Sequence, residues 1–222
     1  MDSTKDIARD WLPFAGIASW TGVLKSEEDV IEVLIMIDAP EIIDDLRHSS
    51  PMAVTGNGWA LISDRVMGGV SAGMMRREVV EGREAIRMQG GVSLENNGGF
   101  LQVALDLADA GSEVDARNWT GIKLDVFGNG QVYNLHLRTS DIHRSWESYR
   151  QSFEAPNRWT TVFLPFNDFL PHRTERPLNL ARLRRIGIVA IGREFDADVS
   201  IADIRFYADA GEEALEPASL TS

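Results

Sequence analysis

Gly69-Val70-Ser71-Ala72-Gly73 spells G-x-S-x-G, the spacing with which hydrolases lift a serine nucleophile onto a strained strand-to-helix turn above a parallel sheet. For Ser71 to attack anything, a strand must precede it, a helix must follow it and a base must reach its hydroxyl. Two further groups of residues have the types that chemistry needs. Asp64 and Arg65 in one motif, with Glu95, Asn96 and Asn97 in another, could tie two loops together through a bidentate Arg65. Alternatively Asp64, Asn96 and Asn97 face outward and hold the hydroxyls of a ligand. In the second group, Arg138 is followed by Trp146 and Tyr149 within residues 140–153. Flat apolar rings beside directional guanidinium donors are the mixture found at recognition surfaces for sugars and for proteins, although the rings could equally roof a core. An unpaired buried guanidinium is too costly, so Arg138 is expected either to pair internally, with Asp64 or Glu95, or to meet a partner.

Other chemistries are poorly served. The four histidines, His48, His136, His143 and His172, show no H-x-H or H-E-x-x-H spacing, and Asp196-x-Asp198 lacks the glycine and terminal glutamate of a calcium loop. No metal and no cofactor is therefore expected. Glu95 and Asp125 would serve a glycosidase only at a defined separation in space. There is no cysteine, which excludes disulfides, thiolate nucleophiles and thiolate zinc sites.

The elements that must position these residues are mostly strands. Ile122, Leu124 and Val126 alternate with Lys123 and Asp125, and Tyr133, Leu135 and Leu137 alternate with Asn134, His136 and Arg138. The Gly128-Asn129-Gly130 turn between them predicts a hairpin or a close connection. Glu81-Gly82 predicts a hairpin between residues 79–80 and 85–86. Residues 159–166 read as a strand stopped by Pro165, and residues 185–191 as a strand apolar on both sides. A change of parity between Val199/Ile201 and Ile204/Phe206 predicts a bulge at Ala202-Asp203. Strands separated by turns, without intervening helices, describe an all-β antiparallel sandwich or jelly roll, so Ser71 is expected to be inert. The predicted core includes Ile122, Leu124, Leu135, Leu137, Val162, Leu164, Ile188 and Ile204.

One segment reads as a helix. Ser26 can cap it, Glu27, Glu28 and Asp29 suit its N-terminal dipole, and Val30, Ile31, Val33, Leu34 and Ile37 follow before Pro40. Its β-branched residues also permit a strand. The reading divides the chain into an acidic extension (1–38), a jelly-roll domain (39–209) and an acidic tail (210–222).

The formal charge of −12 sits at the ends. Residues 1–50 carry 4 basic and 11 acidic side chains, residues 51–208 carry 18 and 19, and residues 209–222 carry none and 4. Such a chain lacks the basic face that releases counterions from nucleic acid. Its one basic concentration, Arg173, Arg176, Arg182, Arg184 and Arg185, reads as a solvated rim. Asp2, Asp6 and Asp10 argue against a secretory or mitochondrial address, and the longest apolar run, residues 30–37, is far short of the ~20 residues that cross a bilayer. A cytoplasmic location is expected.

The run W-x-x-x-S-D-R-V-M-G-G-V-S (Trp59 to Ser71), then G-G-V-S-L-E-N-N-G-G-F-L-Q-V (Gly90 to Val103), G-I-K-L-D-V-F-G-N-G (Gly121 to Gly130) and R-W-T-T-V-F-L-P-F-N-D-F (Arg158 to Phe169), resembles the complex I intermediate-associated protein 30 family. The resemblance spans about residues 42–207. It implies a galactose-binding-like jelly roll and, by inheritance, a non-enzymatic module whose partner is a protein client such as a respiratory-complex assembly intermediate. A carbohydrate-binding module is the alternative, and a serine hydrolase using Ser71 a distant third. No G-x-G-x-x-G occurs, so the dinucleotide-binding domain fused to some relatives is not seen.

Overall fold

Alternation of apolar and polar side chains over residues 121–139 can bury its apolar half only as strands of stacked sheets. The computed structural model, which describes residues 37–47 and 52–208, has two such sheets. In chain order the strands are β1 (Ile37–Asp38), β2 (Ile42–Asp44), β3 (Ala60–Ser63), β4 (Ala72–Val80), β5 (Arg83–Val92), β6 (Phe100–Asp106), β7 (Val114–Asp115), β8 (Gly121–Gly128), β9 (Gln131–Thr139), β10 (Ser148–Ala155), β11 (Thr160–Pro165), β12 (Leu170–His172), β13 (Leu183–Ile191) and β14 (Phe195–Tyr207). Only short 3-10 turns interrupt them among the described residues.

In the larger sheet β3, β6, β13, β9, β10 and β12 lie side by side, and β7 joins the Leu183 end of β13 and carries β1. The smaller sheet runs β11, β8, β14, β5, β4, with β2 on β14. All pairings are antiparallel except the two-residue β1–β7 contact, which is parallel. The jelly roll thus takes in Ile37 and Asp38, two residues ahead of the expected boundary. Apart from Ile37, which is strand, the predicted helix lies outside the described residues, as does the acidic tail.

The local signals behave as their chemistry dictates. Glu81 and Gly82 both have positive φ, 45° and 79°, the backbone of a tight hairpin turn between β4 and β5. The bulge in β14 falls where the parity changes, between Ala202 and Arg205, with Asp203 at φ 45°. Gly128-Asn129-Gly130 makes the close connection and not the hairpin, because β8 belongs to the smaller sheet and β9 to the larger. Its amides are satisfied across the sandwich, Gly128 donating to the Pro156 carbonyl and Gly130 to that of Ala155.

Between the sheets lies one apolar core that includes Ile122, Leu124, Leu135, Leu137, Leu164, Ile188 and Ile204. Val162 is only half-buried, since β11 is an edge strand paired with β8 alone and its inner face closes over at Leu164. Trp59 packs into this core and donates from Nε1 to Asp44 Oδ2 at 2.8 Å, tying β2 to the approach of β3.

Ile188→Ala should therefore cost about 2–5 kcal/mol in urea denaturation, while Val162→Ala should cost roughly 1 kcal/mol or less. Equal losses at the two positions would contradict the placement of the core.

Candidate functional site

Asp64 opens a 3-10 turn directly after β3 and is fully buried. Its carboxylate accepts four hydrogen bonds: Oδ1 from Ser71 N (3.0 Å), and Oδ2 from Ser71 Oγ (2.5 Å), Gly99 N (2.5 Å) and Phe100 N (3.3 Å). A Cβ on Gly69 would come within 2.4 Å of Asp64 Cγ, and one on Gly98 within 2.5 Å of Oδ2. The paired glycines of both motifs thus let backbone close around a charge. Burial opposes ionisation, but the bonds from Ser71, Gly99 and Phe100 prevail and hold the carboxyl below its usual range.

Ser71 is consumed by this knot. It is fully buried, its hydroxyl is committed to Asp64 and accepts from Ser93 N (3.0 Å), and strand β4, not a helix, begins at Ala72. The nucleophile elbow is absent here. Arg65 does not bridge the loops: its side chain is exposed, and Asp64, through backbone amides, and Ser71, through Ser93 N, make the tie instead. Asn96 is exposed on a turn at φ 54°, a conformation that asparagine tolerates. Of the expected ligand-holding trio, Asp64 faces inward, Asn96 faces solvent, and Asn97 is placed by its backbone alone, in the turn of Glu95–Asn97.

The outer face of the larger sheet carries a cleft of about 570 Å³. Strand parity builds it. Leu135, Leu137, Tyr149, Ile186 and Ile188 point into the core, so their neighbours His136, Arg138, Arg150, Arg185 and Gly187 face outward. Register then lines up Arg150, His136 and Gly187 across β10, β9 and β13, with Arg138 beside Arg185 one step along. Ile62, Val66, Met67 and Phe100 form an apolar lip at one side, and Trp146, 46% exposed, stands among the residues of the other.

Arg138 does not pair with Asp64 or Glu95; it lines the cleft. It donates from Nη1 to the Ser145 carbonyl (2.7 Å) and from Nη2 to that of Arg144 (3.1 Å), so it props the loop that presents Trp146. The loop adds its own contacts: the Arg144 guanidinium lies 5.8 Å from the Trp146 ring centre, and Glu147 accepts from Arg144 N. Burial, then Arg185 and Arg184, lower the pKa of Arg138. Tyr149 belongs to the core and not to this surface. It is next to outward-facing Arg150, so it must point inward, where its hydroxyl donates to the Pro177 carbonyl (3.0 Å).

The floor holds an arrangement that spacing did not single out. His136 is 9% exposed, with Nδ1 3.2 Å from Ser148 Oγ and Nε2 buried without a partner. His172, brought in by β12, has its ring centre 6.0 Å away. Burial, with His172 and Arg150 adding, pushes the His136 pKa down to about 3. His172 is lowered by burial, then Arg150 and Arg173. The one legible signal for His136 is that it shares the polar parity of Arg138.

The basic run is not a uniform solvated rim: Arg182 is held by Glu113 and Asp141, Arg185 lines the cleft but is paired with Asp106, and Arg173 and Arg184 line the cleft as well. Asp198 is occupied by Arg87 and Gln89. Among the described residues no three potential ligands cluster as a metal site would need, and no helix is long and apolar enough to cross a membrane.

Asp64→Ala leaves buried amides of Ser71, Gly99 and Phe100 without an acceptor and should cost about 3 kcal/mol or more. Because the folded pKa of Asp64 lies below its unfolded value, the contribution is present above the unfolded pKa and fades as pH falls through the folded one; Asp64→Asn should flatten that acid loss in urea midpoints taken from pH 5 to 3. For His136 the unfolded state takes up a proton near 6.5 and the folded state near 3, so between these values stability falls as pH falls. His136→Gln should recover on the order of 2 kcal/mol of the loss between pH 7 and 5; an unchanged slope would contradict the buried neutral ring.

Comparison with known proteins agrees with this architecture. The family 11 carbohydrate-binding module of a cellulosomal cellulase of Clostridium thermocellum is 14% identical, with a TM-score of 0.59 over 76% of this chain and 94% of that one. A structure of the family 11 module from Clostridium thermocellum in complex with a β-1,3-1,4-mixed-linked tetrasaccharide is also 14% identical, with a TM-score of 0.58 over 76% and 95%. A family 30 carbohydrate-binding module is 14% identical, with a TM-score of 0.53 over 83% and 90%. At such identity the likeness concerns the jelly-roll fold. No curated protein matches the sequence. The pattern of the complex I intermediate-associated protein 30 family matches residues 47–201, well over half of the chain. The chain is a member of the complex I intermediate-associated protein 30 family.

Proposed function

We propose that this chain is a non-enzymatic binding module that holds a segment of a protein client in the cleft of its larger sheet. The observation that carries the reading is the two-sided lining of that cleft. Val66 and Met67, 74% and 52% exposed, form an apolar lip with Ile62 and Phe100, opposite Trp146 and a set of guanidinium donors. An exposed apolar ledge with a polar, arginine-rich margin is the anatomy of a protein interface. Family membership supports the same class of partner and suggests an assembly intermediate of respiratory complex I as client. Catalysis by paired carboxylates finds little support, since Glu147 is the one carboxylate among the residues lining the cleft.

A carbohydrate is the second reading, favoured by the half-exposed Trp146 ring lining the same cleft as the hydrogen-bonding side chains of Gln102, His136 and Arg150. The modules of similar fold are named as carbohydrate-binding, one with a bound tetrasaccharide.

Photo-cross-linking residues placed at Met67, at Trp146 and at exposed Phe163 on the smaller sheet separate these readings. Discrete protein adducts are expected from Met67 and Trp146, weakened by Val66→Asp, with none from Phe163. Adducts from Phe163 alone would overturn the assignment of the cleft. Saturable binding of a β-glucan tetrasaccharide that is lost in Trp146→Ala, with no adduct at Met67, would put the carbohydrate reading in its place.

A further inference from the structure

We propose that the β10–β12 end of the cleft is an oxyanion site, in which Arg150, His172 and Arg173, above His136 and Ser148, receive a carboxylate or phosphate group of the ligand. This rests on the cleft being the binding site and adds the chemistry of what it binds.

The first observation is an inversion of charge. The protein carries −12 overall, yet its cleft is lined by five arginines, of which Arg185 is paired with Asp106, against Glu147, whose carboxylate already accepts from Arg144 N. A concave wall of one sign focuses the field and raises the local concentration of opposite charge.

The second is that two of these cations, Arg150 and Arg173, lack the partners that other arginines have, Arg185 in the same cleft included. Arg182, Arg185 and Arg87 each grip carboxylates at 2.5–3.0 Å. Arg150 and Arg173 have no ion pair or side-chain hydrogen bond with the described residues, although Arg150 is half-buried. The permanently charged groups that act on the two rings are positive: Arg150 on His136, and Arg150 and Arg173 on His172. Packing like charges together destabilises the empty site, and an anion seated among them relieves that repulsion.

The third is His136 itself. Its Nε2 is buried and unpartnered beside the cationic group, while Nδ1 is engaged with Ser148. A buried polar atom left unmade is costly unless something completes it. With the Ser148 hydroxyl donating to Nδ1, the ring carries its proton on Nε2 and stands as a donor beneath the anion. Arginine suits the task, because its planar fork matches both carboxylate and phosphate. The apolar lip of Ile62, Val66 and Met67 leaves the remainder of the ligand apolar, which a client segment bearing an acidic or phosphorylated side chain satisfies.

The test uses the full chain and two probes, succinate and inorganic phosphate, titrated while the imidazole signals of His136 and His172 are followed by NMR. At least one probe should shift both rings saturably and raise the melting temperature. Arg150→Gln should weaken that binding tenfold or more while melting no lower than the parent, and Arg76→Gln, on the exposed edge strand of the other sheet, should leave it unchanged. Tighter succinate binding points to a carboxylate side chain and tighter phosphate binding to a phosphoryl group; either supports the site. Silence of both rings towards both probes, or equal binding by Arg150→Gln, would overturn it. Adducts at Met67 that persist in that case would leave the client reading standing, and anion binding without any Met67 adduct would remove the client reading alone.

Discussion

A single carboxylate, that of Asp64, organises the part of the sandwich on which the rest depends. The chain passes from the larger sheet to the smaller between β3 and β4, and back again between β5 and β6. Asp64 sits in the first crossing and accepts from the second through Gly99 and Phe100, while Ser71 closes the ring with both its amide and its hydroxyl. Removing a charge from water is tolerable only when its lone pairs are filled, and here four donors fill them. The same need explains the glycines, since a side chain at residue 69 or 98 would occupy the space of the carboxylate. Val66, Met67, Gly98 and Gly99 line the cleft, so its apolar lip is held in place by a buried bond network.

The opposite side of the cleft is held by different means. β9, β10 and β13 lie within the larger sheet, and their inner side chains are locked among core residues. Their outer side chains inherit that rigidity, which is how a strand scaffold presents polar groups with little freedom. Trp146 is on a loop, and the loop is fixed by a guanidinium working through two carbonyls. Arg138 thereby fixes how Trp146 is presented at the cleft.

How much of this was legible in the sequence follows from the range of each interaction. Alternation, hairpin turns and the β14 bulge are decided by neighbours, so the sandwich could be read from residue types and periods. The refutation of the Ser71 elbow was also local, because the strands around it rule out a strand–turn–helix. Tyr149 was misplaced on the surface for want of a register. Residues 140–147 have no period, so the sequence does not reveal where β10 begins, and a shift of one residue exchanges its faces. Of the two roles the sequence offers Arg138, pairing with Asp64 or Glu95 or meeting a partner, the first is not taken, and backbone carbonyls a few residues on supply acceptors instead; charge pairing is visible in sequence and carbonyl geometry is not. His136 and His172 are 36 residues apart in sequence and meet only because β10 lies between their strands.

The distribution of charge links stability to function in this fold. Sheet edges and loops are laced by arginine–carboxylate pairs, and these pairs absorb much of the acidity of the middle of the chain. The cleft is built the other way, with cations gathered beside a neutral buried imidazole and little negative charge to answer them. Such a group cannot be the source of the protein's stability, since its members repel one another and His136 loses solvation for one hydrogen bond. It persists because the apolar side of the same strands is fully buried and overcomes that cost. A sheet whose inner face supplies stability in excess can keep an outer face whose cations are not all neutralised.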